Sequence, residues 1–312
     1  MMQIGTAIAG VFAWFASLFG APSAALPLPV SSSIVPPARE ASILFVGDMM
    51  FDRTVRLAMQ NDGDDYILSC IKDTLESADV VVGNLEGPIT EYQSKSLGSE
   101  IGSPDNFTFT FPTSTAFMLK RHNIGLVSLA NNHATNFGGD GIVQTKEWLA
   151  RAGVRHFGDP FVSENDRVAR VEKGGLLFSF IGWSDWTGGT SAEVLAQIET
   201  EASTGRRVIV MAHWGEEYSE PTANQRALAR RFVDAGAKLV IGAHPHVVQE
   251  REFYKGVPIY YSLGNFVFDQ YWNEDVRTGL LVRVMFDEEG IYGIDEFATY
   301  LESDRRTCLK DT

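Results

Sequence analysis

Three apolar runs in this chain end in histidine-bearing polar tips. Residues 126–130 lead into Asn131-Asn132-His133, residues 208–212 into His213, and residues 239–242 into Ala243-His244-Pro245-His246. Two further runs behave alike: 43–47 into Asp48, and 80–83 into Asn84-Leu85-Glu86. Side chains at the carboxyl ends of buried strands converge on one crevice, so residues far apart in sequence can share a site. Four of the six histidines fall in these tips, which makes a common site a better account than isolated surface imidazoles. Asp48, Glu86, Asn132, His213, His244 and His246 offer the mixed nitrogen and oxygen donors of a transition-metal site. Two divalent ions about 3.5–4 Å apart would activate water and stabilise charge developing on a phosphoryl or carbonyl oxygen. His133, next to Asn132, would face the substrate as general acid or charge stabiliser. In His244-Pro245-His246 the proline fixes its own φ and biases His244 towards extended geometry, which would aim two imidazoles into one pocket; a rigid turn is the alternative.

Several neighbours have two readings. Asn131-Asn132 also suits a turn, because asparagine tolerates left-handed geometry. Glu216-Glu217 read as solvated loop acids rather than ligands. Arg53 would bind an anion bidentately or make a structural salt bridge. Arg226, Arg230 and Arg231 read as an exposed helix face. Gly182-Trp183, Trp186 and Gly188-Gly189 would either line the crevice or serve aromatic packing. No Gly-x-Ser-x-Gly elbow, Walker A loop or Gly-x-Gly-x-x-Gly fingerprint occurs, which disfavours serine hydrolases, P-loop nucleotidases and Rossmann dehydrogenases.

The elements that must hold these tips alternate short apolar runs with helical patterns, as in an α/β fold. Strands are predicted at 42–47, 79–84, 124–130, 176–182, 207–212, 238–242 and 257–262. Helices are predicted over 66–78 and 141–152, and from Thr222, where Thr222-Ala223-Asn224-Gln225 makes a capping box and Gly236 the stop. Leu228 and Phe232 lie one turn apart on the face that packs on the sheet. The alternation at 106–111 and the stretch 277–299 predict antiparallel or edge strands.

With 312 residues and 45% hydrophobic content, the chain can bury a substantial core. A net charge of -14 argues against a nucleic-acid binder. Residues 4–20 are apolar and uncharged, and a Pro/Ser-rich run follows through Pro37. We therefore expect a signal peptide or membrane anchor at 1–25, a linker at 26–41, the main domain at 42–300 and a fraying polar tail at 301–312. Cys70 reads as core packing and Cys308 lies in the tail. Two cysteines so placed make neither a disulfide framework nor a zinc knuckle, and they leave the compartment undecided.

Six motifs in order, Gly47-Asp48-Met49-Met50 with Arg53, Gly83-Asn84-Leu85-Glu86-Gly87, Ala130-Asn131-Asn132-His133, His213-Trp214-Gly215-Glu216-Glu217-Tyr218, Gly242-Ala243-His244-Pro245-His246-Val247 and Tyr261-Ser262-Leu263-Gly264-Asn265-Phe266, carry a specific likeness. From about residue 42 to residue 270 the chain resembles the bacterial capsule-synthesis family typified by CapA, the poly-gamma-glutamate synthesis accessory protein. That family is related to the calcineurin-like metallophosphoesterases. The resemblance implies a four-layer sandwich of two packed mixed sheets flanked by helices, with a dinuclear divalent-metal site at their edge; manganese, iron and zinc fit equally. It also implies membrane attachment and a part in making or exporting an anionic surface polymer. In the wider superfamily the first motif is Asp-x-His: Asp48 matches the aspartate, and Met50 stands at the histidine. Asn84 replaces the bridging aspartate of the second motif, with Glu86 the nearest carboxylate. Asn132 and His133 match the Asn-His pair, His213 the isolated ligand, and His244 with His246 the closing pair. Asn136 stands where the family commonly has aspartate. One of the two metal positions should therefore be weakened.

The implied function is assembly or export of poly-gamma-glutamate or a related polymer by an exported or membrane-anchored protein with an extracytoplasmic domain. The partners would be the anionic polymer or its precursor, membrane synthase subunits, and the membrane through the amino terminus. A metal-dependent hydrolase or transferase competes here with a noncatalytic subunit, and outside this family a free-standing phosphoesterase is the alternative.

Overall fold

The central strands form because their apolar runs are continuous, as required of strands covered on both faces, whereas outer strands such as those at 168–173, 251–254 and 291–301 mix apolar and charged residues and are partly exposed. In a computed structural model that describes residues 39–161 and 167–310, the strands are β1 (Ala41–Met49), β2 (Val80–Leu85), β3 (Ile124–Ser128), β4 (Arg155–Phe157), β5 (Val168–Lys173), β6 (Leu176–Ser184) and β7 (Arg207–His213). They are followed by β8 (Ala237–Ala243), β9 (Arg251–Tyr254), β10 (Val257–Tyr260), β11 (Asn265–Val267), β12 (Thr278–Phe286), β13 (Ile291–Leu301) and β14 (Thr307–Leu309). One sheet runs β14-β13-β12-β1-β2-β3-β4, with β11 also paired to β1; the other runs β5-β6-β7-β8-β10-β9. Both are mixed. β1, β2, β3 and β4 pair in parallel, as do β6, β7, β8 and β10, while β12 and β13 on one side and β5 and β9 on the other are antiparallel.

Period-2 alternation divides each strand between two interfaces. Ile43 and Phe45 of β1 join Phe178, Ile209, Met211, Leu239 and Ile241 in a core between the sheets. Leu44 and Val46 face the other way, onto α1 (Arg53–Asp62), α3 (Ser114–Arg121) and α4 (Gly138–Ala152), through Val55, Met118 and Leu149. On the far side Val208, Val210 and Val240 meet Val194 and Ile198 of α5 (Ser191–Ser203) and Leu228 and Phe232 of α6 (Ala223–Asp234). Three apolar interfaces between four layers give the expected α/β sandwich. The capping box at Thr222 is present, with Gly236 at φ 119° beyond the helix.

Four expectations are corrected. The helix predicted over 66–78 is a 3-10 turn, Asp64–Leu68, followed by the single-turn α2 (Lys72–Glu76). Cys70 sits between them, bonded to Cys308 rather than packed as a free thiol. The tail beyond 300 does not fray up to Lys310: β13 continues to Leu301, and β14 pairs with it at Thr299↔Leu309, Tyr300↔Cys308 and Leu301↔Thr307. The strand predicted at 106–111 is a 3-10 turn, Pro104–Phe107, and then a loop with one bridge, Ile89↔Phe111. The expectations for 1–25 and for most of the linker lie outside the described residues. No helix among the described residues is long and apolar enough to cross a membrane.

Candidate metal centre

Two close backbone approaches bring the strand ends together, and each requires glycine. A Cβ on Gly47 would lie 1.9 Å from the Gly264 carbonyl oxygen, and one on Gly242 would lie 1.8 Å from that of Tyr261. Without those side chains Asp48 N donates to Gly264 O at 3.0 Å and Leu263 N to Gly242 O at 3.1 Å. In-register pairing then sets Asp48 beside Asn84 and His213 beside Ala243. Asp48 joins the two sheets, because its Oδ2 accepts from His244 N at 3.0 Å.

Glu86 lies at the middle of the cluster. Both of its carboxylate oxygens are buried without an N–H donor, and the Asp48 carboxyl is near enough to share a proton with Glu86, an arrangement that costs free energy unless a cation or that proton completes it. Its Oε1 is 3.8 Å from Nε2 of His213 and 3.8 Å from Nε2 of His246. Burial, and then the charge of Asp48, push Glu86 well above the usual carboxylate range; burial holds Asp48 up at about 6. Ligand atoms converge in three overlapping groups: Glu86, His213 and His244; Asp48, Glu86 and His246; Glu217, His244 and His246. Shared members make these one centre rather than three separate sites.

The imidazoles are held neutral and aimed. Burial is the first cause at each: it lowers His213 well below its ordinary value, His244 to about 4 and His246 to about 3. His246 Nδ1 pairs with Asn265 Oδ1 at 2.9 Å, which fixes the ring proton there and leaves Nε2 to coordinate. Asn265 is fixed in turn, donating to Gln270 Oε1 at 3.0 Å and Val276 O at 2.9 Å. His213 Nε2 and Asn132 Oδ1 are hydrogen-bonded at 2.8 Å, and the Asn84 amide nitrogen lies 3.2 Å from His213 Nδ1, so both ring nitrogens are oriented by asparagine side chains. His244 Nδ1 is buried without a partner. His244 and His246 have φ 95° and 57°, so His244 is not extended as expected before a proline; the segment turns both rings inward through a left-handed backbone.

Other predicted residues are placed differently. Asn84 directs its amide nitrogen, not its oxygen, at the cluster: Nδ2 donates to Asp48 Oδ1 at 2.7 Å, while Oδ1 accepts from Asn131 at 3.0 Å. Met50 turns its sulfur to Asp52 N at 3.0 Å. Arg53 is ion-paired with Asp269, and its guanidinium lies over Phe109 at 5.0 Å. His133 stacks on Phe109 with centroids 4.4 Å apart, pairs through Nδ1 with Asn136 Oδ1 at 3.2 Å, and is held by burial at about 4. It is not in the converging groups. Trp186 lines the crevice, its ring 4.2 Å from that of His244, whereas Trp183 is buried against Phe232. Arg226 and Arg230 pair with Glu250 and Glu252.

Sequence reasoning set Glu217 aside and missed Asn265 as the orienter of His246. Asn131 proves a support rather than a simple turn residue: its Oδ1 accepts from His133 N and Ala134 N, and its Nδ2 donates to Leu85 O. The Asn265 signal lay in Gly264-Asn265 at the end of the sixth motif. Paired carboxylates, three neutral imidazoles and an amide oxygen, with no N–H donor on Glu86 and no partner for His244 Nδ1, suit a divalent ion.

The family model described as bacterial capsule synthesis protein PGA_cap matches residues 42–270. The PGA biosynthesis protein CapA of Bacillus subtilis is 32% identical over 80% of this chain and 68% of its own length. The capsule biosynthesis protein CapA of Bacillus anthracis is 32% identical over 77% of this chain and 62% of its own. A probable polyglutamine synthesis accessory protein of Mycobacterium tuberculosis is 30% identical over 62% of this chain and 56% of its own. The chain thus spans roughly three fifths to two thirds of the length of these relatives. With a family model matched over most of its length, the chain belongs to the bacterial capsule synthesis family PGA_cap.

Proposed function

We propose that this chain acts outside the cytoplasm in the assembly or export of poly-gamma-glutamate or a related anionic surface polymer, through a divalent-metal centre. Glu86 carries the reading, because a carboxyl group buried against Asp48 and three neutral imidazoles offers the mixed oxygen and nitrogen donors that a divalent ion takes. Asp48, Glu86, Asn132, His213, His244 and His246 would hold the metal, with Glu217 closing it from the solvent side. A bound divalent ion supplies Lewis-acid polarisation and an activated water, the chemistry of hydrolysis or transfer at a phosphoryl or acyl group. His133 stands beside Asn132; its ring is engaged through Nδ1 on Asn136 and is held neutral by burial, which suits substrate positioning or proton acceptance. The Cys70–Cys308 disulfide supports an oxidising, extracytoplasmic setting.

Met50 and Asn84 favour a second reading, an accessory subunit without turnover, since each removes a donor from the centre. Co-expression of the full-length chain with polymer synthase subunits tests the proposal. Surface polyglutamate should fall when His244 is replaced by alanine, and elemental analysis should find at least one transition metal per wild-type chain. Unchanged polymer with the variant, or metal-free wild-type protein after reloading, would remove it.

A further inference from the structure

Beside the centre lies an open cleft of about 780 Å³, the size of a small-molecule site. It is continuous with the cluster: Glu217, one of the converging donors, lines it, and Tyr218 in its wall stacks 6.0 Å from His246. Its wall is unusually apolar for exposed surface. Ile101 is 93% exposed, Trp272 61% and Phe107 50%, joined by Leu57 and Tyr218. Apolar side chains gathered around one opening mark a binding surface. Arg53 is the sole lysine or arginine in the lining, and it is already paired with Asp269; with Glu217, the lining carries a net charge of -1 (one arginine against two acids). Arg53 and Tyr218 have φ 50° and 58°, so the backbone is held in an unfavourable region at this wall.

Away from the proposed metal, these features disfavour a long polyanion along the cleft, because its wall offers two acidic groups and one arginine already paired with Asp269. We infer that the cleft takes an amphipathic substrate, an oxyanion head directed to the metal centre and a hydrocarbon body laid along Leu57, Ile101, Phe107, Tyr218 and Trp272. The inference rests on the proposed metal centre and names its substrate class: an apolar-bodied carrier or precursor, rather than the finished polymer.

Isothermal titration of the Mn-loaded full-length chain with butyl, hexyl and octyl phosphate, each below its micellar concentration, tests this. A fully buried methylene tightens binding about fourfold, so octyl phosphate should bind at least tenfold tighter than butyl phosphate even with partial burial. Octanoate distinguishes a carboxylate from a phosphate head. Ile101→Ser and Trp272→Ser, both at exposed positions, should each flatten the chain-length dependence and leave metal content unchanged. Equal affinity across the series would overturn the inference. So would a dependence that survives both substitutions, which would put the alkyl chain elsewhere, or hexaglutamate binding as tightly as octyl phosphate. Metal content of the same samples separates the two readings. Metal-free protein would defeat the centre, and a chain-length dependence abolished by the substitutions would still stand for the cleft.

Discussion

Glu86→Gln should stabilise the metal-free protein and at the same time abolish most of its response to metal. Without metal, burial and Asp48 make an ionised Glu86 costly, and glutamine keeps the volume without the charge. Its amide N–H groups would face Nε2 of His246, an acceptor because Nδ1 holds the proton on Asn265, from a carboxyl position now 3.8 Å away. The unfolding midpoint in EDTA should therefore stay level or rise. With metal the sign reverses. Glu86 belongs to two of the three converging groups, so its loss should weaken binding by about 100-fold, roughly 2.7 kcal/mol. At metal a thousandfold above the wild-type dissociation constant, the wild type gains about 4.1 kcal/mol and the variant about 1.4. For a domain of this size that corresponds to a rise of roughly 7 °C against 2–3 °C. Thermal unfolding with and without Mn²⁺ or Zn²⁺ measures both. A variant that is less stable in EDTA and retains the full metal-induced rise would show that Glu86 is a structural carboxyl, and the centre would have to be redrawn.

His213→Ala should lower metal content, whereas His133→Ala should spare it and reduce any turnover, because His133 lies outside the converging groups; equal metal loss in both variants would make His133 a ligand. The metal-stripped chain should lose stability as pH falls from about 6.5 towards 4. The folded imidazoles of His133, His244 and His246 titrate at about 4, 4 and 3, below their unfolded value, so their contribution is present above 6.5 and lost on acidification. His213, lowered well below its ordinary value, acts with them, while Asp48, raised to about 6, and Glu86, raised well above its ordinary value, work the other way over the same range and offset only part; a midpoint that rises on acidification would refute the balance. Cys308→Ser should lower stability strongly, since the bond closes a loop with sequence separation 238, worth about 5 kcal/mol by chain entropy, with a corresponding fall in melting temperature. An unchanged melting temperature under non-reducing conditions would mean the bond is not formed in solution.

The central strands were legible because continuous apolar runs can be satisfied only by burial on both faces, and β1, β2, β3, β6, β7, β8 and β10 all begin within two residues of the expected positions. What escaped was short or tertiary in origin. β4, β11 and β14 have three residues each, too few to show a period. The helical pattern over 66–78 breaks where Cys70 is tied to a strand that sequence spacing could not pair with it. The phenylalanine alternation at 106–111 is real as burial, with Phe109 and Phe111 in the core and Phe107 out, but it packs a loop instead of forming a ladder. Periodicity reports which side is buried, and not what supplies the backbone hydrogen bonds.

The candidate site was legible wherever a converging side chain directly follows a strand, since the strand fixes where that side chain points. Glu217 lies four residues past His213, where the chain has left the sheet. Its approach depends on a reversal at 214–218: Gly215 takes φ 85°, Tyr218 takes φ 58°, and Tyr218 N donates to Pro245 O at 2.8 Å, pinning this loop to the His244-Pro245-His246 turn. No sequence pattern announces that contact, because it joins two loops from neighbouring strands. Its consequence is chemical. With Met50 turned away and Asn84 presenting nitrogen, donors are lost on the side of β1 and β2, while Glu86 fills the middle and Glu217 adds a carboxylate at the solvent edge. The converging donors thus extend towards the β7 and β8 loops and the mouth of the apolar cleft, where Glu217 is a member of both.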